Sequence, residues 1–165
     1  MASTNLKGTP VKLQGNFPQK GETVKNGVWV QQDLSQGDLQ TLKGTKKILN
    51  IFPSIDTGIC ATSVRTFNQK ASELSNTKII CLSMDLPFAQ QRFCGAEGIE
   101  NVTTGSLFRN HEFARDLGVL MEDGPLAGLT ARSVIVLDEN DKVLHAQMVD
   151  DISHEPDYEA ALKSV

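Results

Sequence analysis

The residues best placed for chemistry are the three cysteines, of which Cys60 has the most informative surroundings. It follows an apolar segment that ends at Pro53, and it opens a run with helical periodicity. Asp56 and Thr57 are both residue types that favour the position before a helix. With Thr57 as the cap, Cys60 is the third helical residue, beside unpaired backbone N–H groups at the positive end of the helix dipole. A thiol in that setting loses its proton easily and becomes a nucleophile.

Core packing is an alternative explanation of the same cysteine. Cys60 begins an apolar stripe at helical spacing, which continues through Val64, Phe67, Ala71 and Leu74. Free cysteine is often a small buried hydrophobe, so position alone leaves both readings open. A thioredoxin-type dithiol site requires Cys-x-x-Cys, and Thr57 occupies the first position of that motif here. The missing thiol argues against a disulfide reductase and leaves room for a peroxidase.

The two remaining cysteines lie in different kinds of segment. Cys94 is the last residue of a short helical pattern at 88–94, which we expect Gly95 to close. Taken alone, Cys94 is interpreted as an inert thiol at a helix end. Cys81 lies inside a buried strand pattern and is interpreted as a core residue.

Alternating strand and helix patterns must position these residues. Buried strands are predicted at 47–52 and 78–84, and two further strands at 133–137 and 143–149, joined by a turn at 138–141. Helices are predicted at 60–74, 88–94, 111–117 and 155–162, with Pro156 in the first turn of the last one. Residues 11–14 and 28–30 are short strand patterns, and Asn26-Gly27 suits a hairpin turn. The order predicts an α/β fold with a thioredoxin-like sheet and an N-terminal β-hairpin, in a single domain over residues 1–165.

Composition argues against several function classes. The 165 residues carry a net charge of −4 without a basic cluster, so nucleic acid is not an expected partner. No apolar run has the length of a membrane span and no secretory signal is visible, so no membrane association is expected. Three cysteines are too few for a disulfide framework, which favours a reducing, cytoplasmic location. The histidines are too widely spaced for a metal site and no nucleotide motif is present, so neither metal nor cofactor is predicted.

Four segments together resemble one known family, the bacterial thiol peroxidases (Tpx), which are atypical two-cysteine peroxiredoxins. The segment NIFPSIDTGIC at 50–60 resembles the active-site segment of that family, and SMDLPFAQ at 83–90 with RFCG at 92–95 resembles its resolving-cysteine segment. Residues 123–132 resemble its arginine region, and 155–162 its C-terminal helix. The likeness extends over about residues 11–162. Ser133 departs from it, since a small apolar residue is expected there.

The resemblance implies a role for each of five residues. Cys60 is the expected peroxidatic nucleophile, shielded by Pro53, and Thr57 is expected to hydrogen-bond both the sulfur and the peroxide. Arg132 is expected to stabilise the thiolate and polarise the O–O bond. Cys94 is the expected resolving cysteine, which forms an intrachain disulfide with Cys60. The family further implies reduction of hydroperoxides, preferably organic ones, with thioredoxin as reductant and a homodimer as the assembly.

Two other functions and two structural consequences follow from the same residues. A thiol–disulfide exchange protein and a non-enzymatic redox sensor are the alternative functions. A disulfide needs its Cα atoms within about 7 Å, so the short helix at 88–94 is expected to unwind locally on oxidation. Leu126 and Leu129, with Phe93, are candidates for an apolar entrance to the site, and ordinary loop packing is the alternative explanation.

Overall fold

The computed structural model describes residues 3–165. The strands in this range are β1 Thr4–Leu6, β2 Thr9–Val11, β3 Leu13–Gln14, β4 Val28–Val30, β5 Gln36–Asp38, β6 Lys46–Ile51, β7 Thr77–Ser83, β8 Thr103–Ser106, β9 Leu120–Met121, β10 Ser133–Leu137 and β11 Val143–Met148. The α-helices are α1 Gly58–Ala71, α2 Pro87–Glu97, α3 His111–Asp116 and α4 Tyr158–Lys163. None of these helices combines the length and the apolar character that crossing a bilayer requires.

A mixed sheet of seven strands forms the centre, in the order β11-β10-β6-β7-β8-β4-β5. Strands β6, β7 and β8 are parallel, and the other neighbours in the sheet are antiparallel. Because β6 and β7 are parallel neighbours, their carboxyl ends meet at one edge, and the loop at 52–57 lies beside the loop at 84–86. The α/β, thioredoxin-like arrangement predicted from the sequence is confirmed.

Successive residues of the central strands enter different cores, because side chains alternate across a sheet. Leu49 of β6 belongs to the core that contains Trp29 and residues of α3. Ile48, directly before it, belongs to the core on the opposite face. This second core contains residues of α1, α2 and α4 together with Cys60, Cys81 and Cys94. All three thiols therefore lie on the same side of the sheet.

The predicted N-terminal hairpin exists, but the turn that makes it was predicted in the wrong place. Strands β1 and β2 pair antiparallel around Lys7 and Gly8, whose φ angles are 49° and 85°. Positive φ at both central residues is the hairpin geometry that matches strand twist. Asn26-Gly27 forms no hairpin. A Cβ on Gly27 would lie 2.1 Å from the ring of Phe113, so close packing, and not a tight turn, requires glycine there.

Several segment boundaries differ from the sequence expectation. Pattern 11–14 is divided between β2 and β3, because Lys12 between them donates its backbone N–H to Asp123 at 2.8 Å. Helix α2 continues past Gly95 and ends at Gly98, which adopts the left-handed conformation with φ 64°. Helix α4 starts only at Tyr158, after Asp157, whose side chain caps the helix. Pro156 therefore precedes the helix and does not lie in its first turn.

Candidate active site

Cys60 lies at the start of α1, as the cap prediction requires. Thr57 is the extended residue before the helix, with φ −102° and ψ 148°, and Gly58 is the first helical residue. Cys60 is therefore the third helical residue, and it is fully buried. The Thr57 hydroxyl makes no capping hydrogen bond, since it donates to the Ser54 carbonyl at 3.1 Å. In this conformation the helix-start N–H groups receive no side-chain cap from Thr57.

Arg132 brings a positive charge to the sulfur of Cys60. Its Nη1 lies 3.3 Å from Cys60 Sγ, and the arginine is only 3% exposed. A guanidinium at this distance can donate a charge-assisted hydrogen bond to the sulfur. The sheet creates the contact, because β10 starts directly after Arg132 and pairs with β6 in the register Ser133↔Ile51. The Thr130 hydroxyl also donates to the Phe52 carbonyl at 2.7 Å, which joins the segment before Arg132 to the segment before Cys60.

The unexpected serine beside Arg132 leaves this contact undisturbed. Ser133 is fully buried, and its hydroxyl donates to the Ala131 carbonyl at 3.2 Å. A buried hydroxyl with a local partner costs little, so the strand accepts serine where an apolar residue was expected.

The orientation of the Arg132 side chain depends on the N-terminal hairpin. Nε of Arg132 donates to the Ile152 carbonyl at 3.0 Å. The neighbouring Asp151 carboxylate accepts the backbone N–H groups of Lys7 at 3.1 Å and Gly8 at 2.9 Å, in the hairpin turn. The hairpin turn therefore fixes the segment that contains Asp151 and Ile152, and the Ile152 carbonyl in turn orients Arg132.

Asp151 gives the fold a pH-dependent stabilisation. Hydrogen bonds from the Ser153 hydroxyl and backbone, and from the Gly8 backbone, hold the pKa of Asp151 well below its ordinary value of 3.8. A lowered folded-state pKa stabilises the protein above the unfolded pKa, and this stabilisation is lost as the pH falls through the folded pKa. We expect Asp151→Asn to lower the free energy of unfolding by a constant amount between pH 6 and 8, and by less at pH 3. Urea unfolding across this range measures it, and a difference that does not change with pH would contradict the assignment.

A cavity of about 650 Å³ lies beside Arg132, which forms part of its wall. Its lining is mostly apolar and includes Leu6, Pro53, Ile59, Pro125, Leu126, Leu129 and Ile152. Thr57 and Ser54 add hydroxyl groups to the same wall. Leu126 and Leu129, two of the three predicted entrance residues, line this cavity, whereas Phe93 packs in the core with Cys94. Cavities of this size accommodate small organic molecules.

Cys94 and Cys81 are free thiols, like Cys60, and burial raises the pKa of each of these two. Cys94 lies on α2 and is 8% exposed, and burial raises the pKa of its thiol despite a hydrogen bond with Gln32. Burial raises the pKa of Cys81 to about 12, against the opposing effect of its hydrogen bond with Asn50. A thiol with that pKa is a poor nucleophile at neutral pH, which supports the interpretation of Cys81 as a core residue.

Some residues of the site had no assigned role in the sequence. Hydrogen bonds that involve backbone groups of distant segments give Thr130, Asp151 and Ile152 their places in the site. No local sequence pattern predicts such contacts. Asp85 lies inside a segment that resembles the thiol peroxidases, yet its type and spacing alone assign it no partner. Within residues 3–165, no group of three or more His, Cys, Asp or Glu side chains is placed to hold a metal ion.

Comparison with known proteins adds to the geometry. Residues 19–162 match the Redoxin family. The chain is 52% identical to a thiol peroxidase of Corynebacterium glutamicum over 165 residues, which cover 100% of this chain and 99% of the relative. It superposes on a peroxiredoxin-like protein of Aquifex aeolicus with a TM-score of 0.93 at 36% identity, covering 99% of this chain and 96% of the other. A thiol peroxidase of Chromobacterium violaceum shares the fold, with a TM-score of 0.90 at 21% identity over 99% and 95% of the two chains.

A thioredoxin-like sheet with a buried thiol at the start of α1 and an arginine on its sulfur defines a peroxiredoxin, and the chain belongs to the redoxin family. Within that family, the full-length relative confirms the resemblance to the thiol peroxidases predicted from the sequence. The enzyme is a thiol-dependent peroxidase.

Proposed function

We propose that Cys60 reduces hydroperoxides, preferably organic ones, that Cys94 then forms an intrachain disulfide with it, and that thioredoxin reduces this disulfide. The observation that carries the proposal is the 3.3 Å contact between Arg132 and Cys60 Sγ at the wall of the apolar cavity. Arg132 connects the buried nucleophile to a space for an organic group, because the same side chain contacts Cys60 Sγ and forms part of the cavity wall.

Arg132 serves both the nucleophile and the leaving group. The Cys60 thiolate attacks one peroxide oxygen and the O–O bond breaks, which leaves a sulfenic acid and an alkoxide that takes up a proton to become an alcohol. A guanidinium has five N–H groups, of which one contacts Cys60 and one contacts Ile152. The remaining groups are available to stabilise the charge that develops on the departing oxygen.

Thr57 and Pro53 complete the binding site for the peroxide. The Thr57 hydroxyl donates its proton to Ser54, so its oxygen remains free to accept a hydrogen bond from the hydroperoxide O–H. Pro53 is buried and forms part of the cavity wall, where it limits the access of water to Cys60. Both roles match those implied by the resemblance, except that Thr57 contacts Ser54 and not the sulfur in this state.

Resolution by Cys94 requires α2 to open. The Cys94 thiol condenses with the Cys60 sulfenic acid, which forms the S–S bond and releases water. While α2 is folded, burial keeps the pKa of Cys94 raised, and a protonated thiol attacks slowly. Helix α2 has 11 residues, below the roughly 12–15 at which an isolated helix becomes even marginally stable. We therefore expect α2 to unwind around Cys94 after oxidation and to expose a more reactive thiol.

The remaining partners follow from the family relation and the cysteine count. We propose thioredoxin as the reductant, a homodimer as the assembly, one domain over residues 1–165 and a cytoplasmic location. Sedimentation equilibrium of the reduced protein tests the dimer.

A coupled assay tests the substrate and the reductant together. With thioredoxin, thioredoxin reductase and NADPH, we expect kcat/KM for cumene hydroperoxide to exceed that for hydrogen peroxide by at least about tenfold, since the aryl group fills apolar space. Omission of thioredoxin is expected to stop turnover. Equal values for the two peroxides contradict the organic preference, and turnover with glutathione alone contradicts the reductant.

Replacement of Cys94 separates the first chemical step from recycling. Cys94→Ser is expected to reduce one equivalent of hydroperoxide, accumulate the Cys60 sulfenic acid and then stop, because no disulfide forms for thioredoxin to reduce. Dimedone labelling and intact mass measure the trapped state. Sustained thioredoxin-dependent turnover in Cys94→Ser would contradict the two-cysteine mechanism.

A further inference from the structure

One carboxylate fixes the loop from which α1 starts. Asp85 Oδ2 accepts the backbone N–H of Ile55 at 2.7 Å, and Oδ1 accepts the Ser54 hydroxyl at 2.8 Å. Both donors belong to the loop that ends at Thr57. Hydrogen bonds to a carboxylate are roughly twice as strong as those between neutral groups, so Asp85 is a strong anchor for this loop.

The same carboxylate is connected to α2 through Ser83. The Ser83 hydroxyl donates to Asp85 Oδ2 at 2.6 Å and accepts from Gln90 Nε2 at 3.2 Å. Gln90 is 1% exposed and lies on α2 one turn before Cys94. Its Nε2 also donates to the Gly105 carbonyl of β8 at 3.0 Å. The buried Gln90 amide thus connects α2 both to the sheet and, through Ser83, to Asp85.

We propose that Asp85 is a positioning residue that couples the Cys60 loop to α2 and thereby sets the rate at which the oxidised site opens; this rests on the proposed two-cysteine function. While its hydrogen bonds are intact, Cys60 stays at the start of α1 and Cys94 stays buried. Disulfide formation must move both segments. Weaker hydrogen bonds at the Asp85 carboxylate therefore free the Cys60 loop and α2 together.

The coupling determines what happens to the sulfenic acid. In the open site, the sulfenic acid condenses with the Cys94 thiol, which forms the disulfide and releases water. In the closed site, it reacts with a second hydroperoxide, which adds one oxygen to give a sulfinic acid and releases an alcohol. A stable link at Asp85 therefore favours over-oxidation, and a weaker link favours the disulfide.

Asp85→Asn tests the coupling because it replaces one acceptor oxygen with an amide donor at nearly constant volume. We expect disulfide formation from the sulfenic acid to be about tenfold faster, equivalent to about 1.4 kcal/mol, and the sulfinic fraction at fixed peroxide to fall by a similar factor. Quenched-flow sampling with intact mass measures both. Ser54→Ala, which removes one donor, is expected to give a smaller change in the same direction. Asp38→Asn, which removes a carboxylate bound to the Thr41 backbone at 2.8 Å, is the control with an unchanged sulfinic fraction.

A purely structural role for Asp85 predicts a different result. Lower stability with an unchanged sulfinic fraction in Asp85→Asn overturns the proposal. Hydrogen exchange of the reduced protein adds a test that needs no chemistry: exchange at 53–60 and at 87–97 is expected to rise together. A rise confined to one segment, or found in neither, contradicts the coupling. If the wild type forms no disulfide at all, the proposed two-cysteine function is wrong. The hydrogen-exchange result still decides whether the loop at 53–60 and helix α2 are coupled.

Discussion

Cys60→Ser is expected to lower hydroperoxide reduction to the uncatalysed rate, a loss of roughly a million-fold for an ordinary enzyme. A serine hydroxyl is not ionised near neutral pH, and neither Arg132 nor the helix dipole supplies the base needed to activate it. Cys94 cannot replace the nucleophile, because burial raises the pKa of its thiol and Arg132 contacts the sulfur of Cys60 instead. Consumption of cumene hydroperoxide coupled to thioredoxin measures the effect.

Cys81→Ser is the matched control for this substitution. Cys81 is equally buried, on the same side of the sheet, and its sulfur lies 3.6 Å from the Asn50 amide, which can donate to a serine hydroxyl. We expect unchanged turnover with a small loss of stability. Turnover that survives in Cys60→Ser would favour the rival reading of Cys60 as a packing residue. Slow stoichiometric oxidation of the wild type without turnover would favour the redox sensor.

Arg132→Met is expected to lower the rate constant of the first step by about 10² to 10³, the usual cost of removing one oriented donor from a developing anion. Methionine keeps much of the apolar stem but removes the charge at 3.3 Å from the sulfur. Arg132→Lys keeps a charge without the planar fork, so we expect an intermediate rate. Single-turnover peroxide consumption by the reduced protein measures this step apart from recycling.

Arg109→Met serves as the control for Arg132, because Arg109 is exposed and its guanidinium lies over the Phe108 ring. Its rate is expected to equal that of the wild type. Urea unfolding of each variant separates loss of fold from loss of chemistry. A folded Arg132→Met protein that reacts at the wild-type rate would remove Arg132 from the mechanism.

Local signals predicted the position of Cys60 at the start of a helix and much of the frame around it. The cap residue Thr57 and the helical apolar stripe put Cys60 at the third helical position, and the structure places it there. Both signals depend only on neighbours in sequence. The buried strands β6, β7 and β10 were predicted within one or two residues because their apolar runs are long and continuous.

Contacts between distant segments set what the residues alone could not predict. Arg132 reaches Cys60 only because β10 pairs with β6, and the sequence pointed to it through resemblance, not through pattern. Helix α2 ends at Gly98 and not at the expected Gly95, because the chain adopts the left-handed conformation at Gly98. Asp85 has a type and spacing that fit any solvated turn, so its partners became visible only in the folded chain.

Peptide mapping after one equivalent of cumene hydroperoxide tests the two-cysteine account most directly. Reduced protein is oxidised, quenched with an alkylating reagent, digested without reductant and analysed by mass spectrometry. The account predicts one dominant new species, in which the Cys60 and Cys94 peptides are joined, with Cys81 alkylated as a free thiol. A disulfide that includes Cys81, or an unmodified Cys60 after the peroxide has been consumed, would contradict it.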